Sequence, residues 1–95
     1  MVVGVCQINL SIPSAHSLKD KRQVLKSLIA RVKGSFNASV AEVGQNDVWQ
    51  SAVIGVVVVG NERGFVNSAL DNIIDFIEGL RTVDVVSHEI EIMNY

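Results

Sequence analysis

Residues 52 to 59 read Ala-Val-Ile-Gly-Val-Val-Val-Val, without one polar side chain. A strand with one wetted face alternates apolar and polar residues, whereas a strand covered on both faces does not. The segment Val48–Val59 is therefore expected to be a central strand, apolar at both parities from Val53 onward. Its apolar stretch is far shorter than the roughly 20 residues a membrane-crossing helix needs. A chain of 95 residues has to provide this strand's neighbours and its cover, and holds material for a single domain, 1–95.

The neighbours are legible from periodicity. Val2, Cys6, Ile8, Leu10 and Ile12 share one parity while Gln7, Asn9 and Ser11 share the other, which predicts a half-buried strand over 2–12 closed by Pro13. Ser17 can cap a helix with Asp20 at its third position, and Leu18, Leu25, Leu28, Ile29 and Val32 follow at helical spacing. The first helix is expected over about 17–33, with Gly34 as its terminator. Ala38–Val43 reads as the second strand, joined to the third through Gly44-Gln45-Asn46-Asp47. Beyond Gly60, Asn61 is the expected cap of a second helix whose stripe is Phe65, Val66, Ala69, Leu70, Ile73, Ile74, Ile77 and Leu80. Alternation resumes over Val83–Met93, with Val86, Ile90 and Ile92 opposite Ser87, Glu89 and Glu91. The order βαββαβ, with each helix a right-handed crossover, predicts a ferredoxin-like α+β fold: a four-stranded antiparallel sheet in the order 4-1-3-2 with two helices on one face. Tracing strand directions through that fold brings Pro13–Arg22 and Gly44–Gln50 to one end of the domain.

Composition narrows the class. With 48% apolar residues and one proline, the chain is not disordered. The single Cys6 cannot form an internal disulfide and no secretory leader pattern is present, so a soluble, cytoplasmic protein is expected. The net charge of −2 conceals an uneven distribution: residues 19–33 carry net +5 and residues 39–95 net −7. An anionic partner would meet the basic segment.

On a helical wheel Lys19, Arg22, Lys26 and Lys33 fall within about 60°, turned ~110° from the Leu25/Leu28/Val32 stripe. A basic ridge starting at a helix N-terminus suits the phosphates of an RNA backbone, and the charged outer face of an amphipathic helix is the plain alternative. Lys21 lies at the angle of the apolar stripe and has to snorkel or find a partner, Glu42 or Asp47, for which a structural ion pair is preferred over a catalytic acid–base pair. Trp49 is expected to cover the core edge rather than to stack on a base. His16 precedes the first helix, where it could donate to an anion or respond to pH, although loop histidines are more often neutral surface; His88 is expected at the core margin. His16, Ser17, Lys21, Glu42, Asp47, Trp49 and Gln50 together form a candidate site at the shared end. Asp71, Asp75 and Glu78 make an acidic ridge on the second helix. On the uncovered sheet face, Val53, Val57 and Val59, with Val3 and Val5 beside them, are the expected interface of a homodimer or higher oligomer.

One cysteine and two histidines on separate elements offer no metal-site spacing. Glycine loops that cradle phosphates, dinucleotide fingerprints and nucleophile elbows are absent too, so no cofactor and no catalytic residue is assigned. The aromatic signature of an RNA-recognition motif, a GxxG loop and any DNA-binding signature are likewise missing. The paired motifs Ser17-Leu18-Lys19-Asp20-Lys21-Arg22 and Ala41-Glu42-Val43-Gly44 with Asp47-Val48-Trp49-Gln50 resemble those of the YlxP-like family of small bacterial proteins of unknown function, and the resemblance spans essentially the whole chain. It implies a ferredoxin-like fold. Because family members are often encoded near translation-initiation and ribosome-maturation factors, it also implies a link to RNA or ribosome assembly, and it brings no catalytic residue. A non-enzymatic protein associated with RNA or a ribosomal particle is therefore expected. The alternative is a small-molecule-binding or oligomeric regulatory module of the ACT type using the open sheet face, and an enzyme acting on a phosphorylated substrate comes third.

Overall fold

The computed structural model describes residues Met1–Tyr95. Strands β1 (Val2–Ser11), β2 (Ser39–Gly44), β3 (Ser51–Gly60) and β4 (Asp84–Asn94) alternate with helices α1 (Leu18–Ser35) and α2 (Arg63–Leu80) in the order βαββαβ. The strands form one sheet in the order β2-β3-β1-β4, with every neighbouring pair antiparallel. This is the expected ferredoxin-like α+β architecture. The β1/β3 ladder runs unbroken from Val2 opposite Gly60 to Ser11 opposite Ser51, so even-numbered residues of both strands face the helices.

The core lies in that one interlayer space. Cys6, Ile8 and Leu10 of β1 and Ala52, Ile54, Val56 and Val58 of β3 meet Leu25, Leu28 and Val32 of α1 and Val66, Leu70, Ile73 and Ile77 of α2, all buried. Each buried aliphatic side chain of this size contributes about 1.5–3 kcal/mol, which favours a helix stripe and a strand parity that agree. Helix α2 sits close on β1: a Cβ added at Gly4 would run into Val66 and lie 2.8 Å from Leu70 Cδ1. Any larger residue there would lift the helix from the sheet.

Several boundaries differ from the sequence expectation, each for a local reason. Strand β3 begins at Ser51 rather than Val48, because Gln45 takes a left-handed φ of 61° and the turn it opens is closed by Val48 N–H donating to the Gln45 carbonyl. Helix α1 continues through Gly34 to Ser35, and the chain leaves it at Phe36, which is extended and packs edge-on against Phe76 with ring centroids 5.4 Å apart. The aromatic anchor, not the glycine, sets where the chain turns. The N-cap of α2 is Glu62 without a side-chain hydrogen bond, not Asn61. Val86, expected inward, is 67% exposed: Asn9 pairs with Ser87 and Leu10 with Val85, so Val86 is the extra residue of a bulge. His88 lies opposite Ile8 on the helix-facing side yet is exposed, since β4 is an edge strand.

No helix is long and apolar enough to cross a membrane. Burial, with the negative charge of Asp71 added, pushes the Cys6 thiol up from 9.0 to about 11. A thiol with a raised folded-state value holds its proton in the folded chain after the unfolded chain has released it. Its contribution to stability is therefore complete below about pH 9 and lost as pH rises toward about 11. Chemical denaturation of the wild type and Cys6→Val between pH 8 and 11 is expected to show a steeper alkaline loss of stability in the wild type, and equal slopes would contradict it.

Candidate functional site

The end of the domain where β1 leaves the sheet and the β2–β3 hairpin turns back is built from both sequence motifs. Ser17 caps α1 by accepting a hydrogen bond from the Asp20 N–H at 3.1 Å. Asp20 Oδ2 accepts one from the His16 N–H at 3.1 Å, a reciprocal cap that satisfies two otherwise free backbone donors. This fixes where the first helical turn starts and hence which way Lys21, one turn in, must point.

Lys21 points into the core. It is 1% exposed, and its ammonium lies 2.8 Å from Glu42 Oε2, the only salt bridge in the chain. Its directed hydrogen bond goes to the Gln45 carbonyl at 2.6 Å. Glu42 Oε2 is shut off from solvent and accepts no aligned hydrogen bond, so at this oxygen the nearby ammonium is what offsets the lost hydration. Of the two partners foreseen for Lys21, Glu42 is the one it takes, and Asp47 stays exposed. Register explains the choice: Glu42 is opposite Ile54, on the helix-facing parity of the sheet.

Gln50 ties the two loops together. Its side-chain amide donates to the carbonyls of Pro13 at 3.2 Å and Ala15 at 3.0 Å, while its own carbonyl accepts from Ile12 N–H at 2.9 Å. The pairing of Gln50 with Pro13–Ala15, and the Gln45 carbonyl as a ligand for Lys21, were not foreseen from the sequence. A polar turn of Gly-Gln-Asn-Asp gives no sign of which carbonyl will face inward. Trp49 does not cover the core edge as expected: it is 52% exposed beside Val48 at 45%, because the turn carries both past the end of the ladder. His16 is exposed and contributes its backbone rather than its ring.

Chemically, this end is a lock. The convergent residues expected there do meet in Ser17, Lys21, Glu42 and Gln50, whose polar groups are directed at one another or at backbone. His16, Asp47 and Trp49 lie on the surface around them.

The basic ridge is separate. Lys19, Arg22, Lys26 and Lys33 are all exposed and none enters the one salt bridge. Val24, on the other flank of α1, borders Arg81–Asp84 at the α2–β4 junction, so the ridge occupies the flank turned away from α2, above the β2 edge of the sheet. From Lys19 to Lys33 it extends ~21 Å along the helix. On the opposite sheet face Val57 is 37%, Val59 53% and Val43 55% exposed, while Val3, Val5 and Val53 are half-buried. The hollows on this open face are shallow, about 250 and 270 Å³. No group of three or more His, Cys, Asp or Glu residues is arranged to hold a metal ion.

Removing one member of a buried pair leaves the other uncompensated. Lys21→Met is expected to cost about 3 kcal/mol, toward the lower end of the range for buried pairs because Glu42 keeps 21% side-chain exposure. Lys21→Met/Glu42→Leu should recover most of that loss in urea unfolding. Strictly additive losses would show that the two charges are not coupled.

Comparison with known proteins agrees with this geometry. A de novo designed protein with a ferredoxin fold, solved by NMR, superposes with a TM-score of 0.57 over 98% of this chain and 84% of its own, at 16% identity, a likeness of fold alone. The uncharacterized protein YlxP of Bacillus subtilis (strain 168) is 32% identical over 83 residues, covering 87% of this chain and 90% of that one. Residues 3–90, which include the capped start of α1, the Lys21–Glu42 pair and the Gln50 tie, match the profile of a family described as "Protein of unknown function (DUF503)", and the chain belongs to that family.

Proposed function

We propose that this protein is a non-enzymatic binding module for RNA, free or within a ribosomal particle, and that the outer flank of α1 is its contact surface. The observation that carries this reading is the row Lys19, Arg22, Lys26 and Lys33, exposed and unpaired, beside a cation of the same helix, Lys21, that is fully committed internally. Cations held on one rigid helix flank and not neutralised by the protein are free to displace the counterions of a phosphate backbone. Four of the six cations of residues 19–33, a segment of net +5 in a chain of net −2, stand on this flank, so the attraction is concentrated there. Three of the four ridge residues are lysines, point charges that suit contact with phosphates along a strand more than base-specific reading.

Arg22→Glu/Lys26→Glu is expected to lower affinity for single-stranded RNA more than about tenfold and to flatten the salt dependence by roughly 1.4 log units per log unit of salt, about 0.7 for each phosphate no longer neutralised. Asp75→Lys, a charge reversal on α2, serves as the control for position and should leave the salt dependence as it is. Binding unchanged in a double variant that retains its circular dichroism spectrum would leave the ridge as a solvated face.

The open sheet face, with Val57 and Val59 exposed and Val53 half-buried, supports a second reading, self-association of two copies through these three residues. Light scattering at high micromolar concentration should report a dimer that Val57→Lys dissociates. A strict monomer in the wild type would discard it.

A further inference from the structure

The largest hollow of the molecule is remote from the locked end. It lies where α1 finishes and α2 starts, has a volume of about 370 Å³, and is walled by Phe36 and Phe65 with Ser35, Asn37, Ser68 and Asn72 around them. This volume falls within the roughly 300–1,000 Å³ typical of small-molecule sites. The lining contains no charged side chain. Phe65 is 61% exposed, an aromatic ring left at the mouth of a cavity rather than folded into the core. None of the two amides and two hydroxyls enters a side-chain hydrogen bond within the protein, where Asn67, one position before Ser68, is bound to Asp71.

Two aromatic rings, two amides and no charge suit a ligand that is flat, neutral and edged with alternating donors and acceptors. An ion would be left without a counter-charge in this hollow, and a plain hydrocarbon would leave the amides unmatched. Asparagine offers one donor group and one acceptor side by side, the pattern that pairs with the edge of a base, while phenylalanine stacks on its face. We propose that this hollow takes a nucleobase, its edge against Asn37 and Asn72 and its face against an aromatic ring. The inference deepens the RNA reading and rests on it. Lys33 ends the basic ridge in the last turn of α1, two residues before Ser35 at the rim of the hollow, so a strand that follows the ridge and rounds the end of the helix reaches the hollow. The same chemistry is offered by a free nucleoside and by an unstacked base of a strand.

The test is titration of the ¹⁵N-labelled protein with adenosine, guanosine, cytidine and uridine separately, and with a short mixed-sequence single-stranded RNA. Backbone amides of Phe36, Asn37, Phe65 and Asn72 are expected to shift, with Asn72→Leu and Ala69→Phe, which fills the hollow, each weakening the effect by about tenfold, the loss of one stacked or paired base. Shifts with nucleosides alone assign a free ligand, and shifts with the RNA alone assign a base presented by a strand. Silence of these amides in every titration overturns the inference, as does wild-type binding in both folded variants. RNA that shifts the amides of Lys19–Lys33 and leaves the hollow silent overturns the nucleobase site alone. A nucleoside seated in the hollow of a protein that binds no RNA supports the site and overturns the ridge.

Discussion

Every other placement in the molecule depends on the uninterrupted ladder between β1 and β3. With Val2 opposite Gly60 and Ser11 opposite Ser51, even residues of both strands point to the helices, and a slip by one position would turn that whole apolar set to solvent. The ladder also fixes where the chain emerges. Ser11 and Ser51 are level, so Ile12 and Gln50 are the first residues past the sheet on each strand, and their backbone hydrogen bond brings the 13–17 and 44–50 loops together. The capped helix start and the buried ammonium both build on that meeting.

A lysine at the angle of an apolar stripe is an expensive choice. A methionine or leucine at position 21 would fill the same space without a desolvation cost, and buried ion pairs often add nothing to net stability. What Lys21 adds is a requirement that Glu42 and the carbonyl of a left-handed Gln45 be present at fixed distances. A hairpin in any other register leaves a charge buried without a partner. The pair thus selects one loop arrangement, while the apolar core, formed from interchangeable valines, isoleucines and leucines, supplies most of the free energy.

The sequence was legible where period and polarity were redundant. The apolar stretch from Val53 to Val59 defined a central strand, the parity of Val2–Ile12 its neighbour, and the stripe angle of Lys21 required it to snorkel or to find a partner in Glu42 or Asp47. Other features depended on contacts with no local signature. Phe36 overrides the stop signal of Gly34 because its ring packs on Phe76, 40 positions away. The bulge at Val86 comes from pairing with β1, and alternation along β4 cannot reveal it. Trp49 looked like a core cover only as long as Val48–Gln50 counted as strand. The hollow between Phe36 and Phe65 was invisible for a related reason, since its lining comes from separate elements and its amides belong to no motif.

Charge and sheet edges are aligned in this fold. The basic flank of α1 overhangs the β2 edge, while Asp71, Asp75 and Glu78 are exposed on the flank of α2 that, by helical phase, is turned away from Phe76 and α1; β4 adds Glu89 and Glu91 at the far edge. The layer therefore carries an electric moment running across the strands, from one sheet edge to the other. In the field of any extended anionic surface such a body experiences a torque before it makes contact. It would arrive with β2 leading and β4 trailing, so orientation is selected during approach, and weakened by salt once the Debye length falls below the width of the sheet.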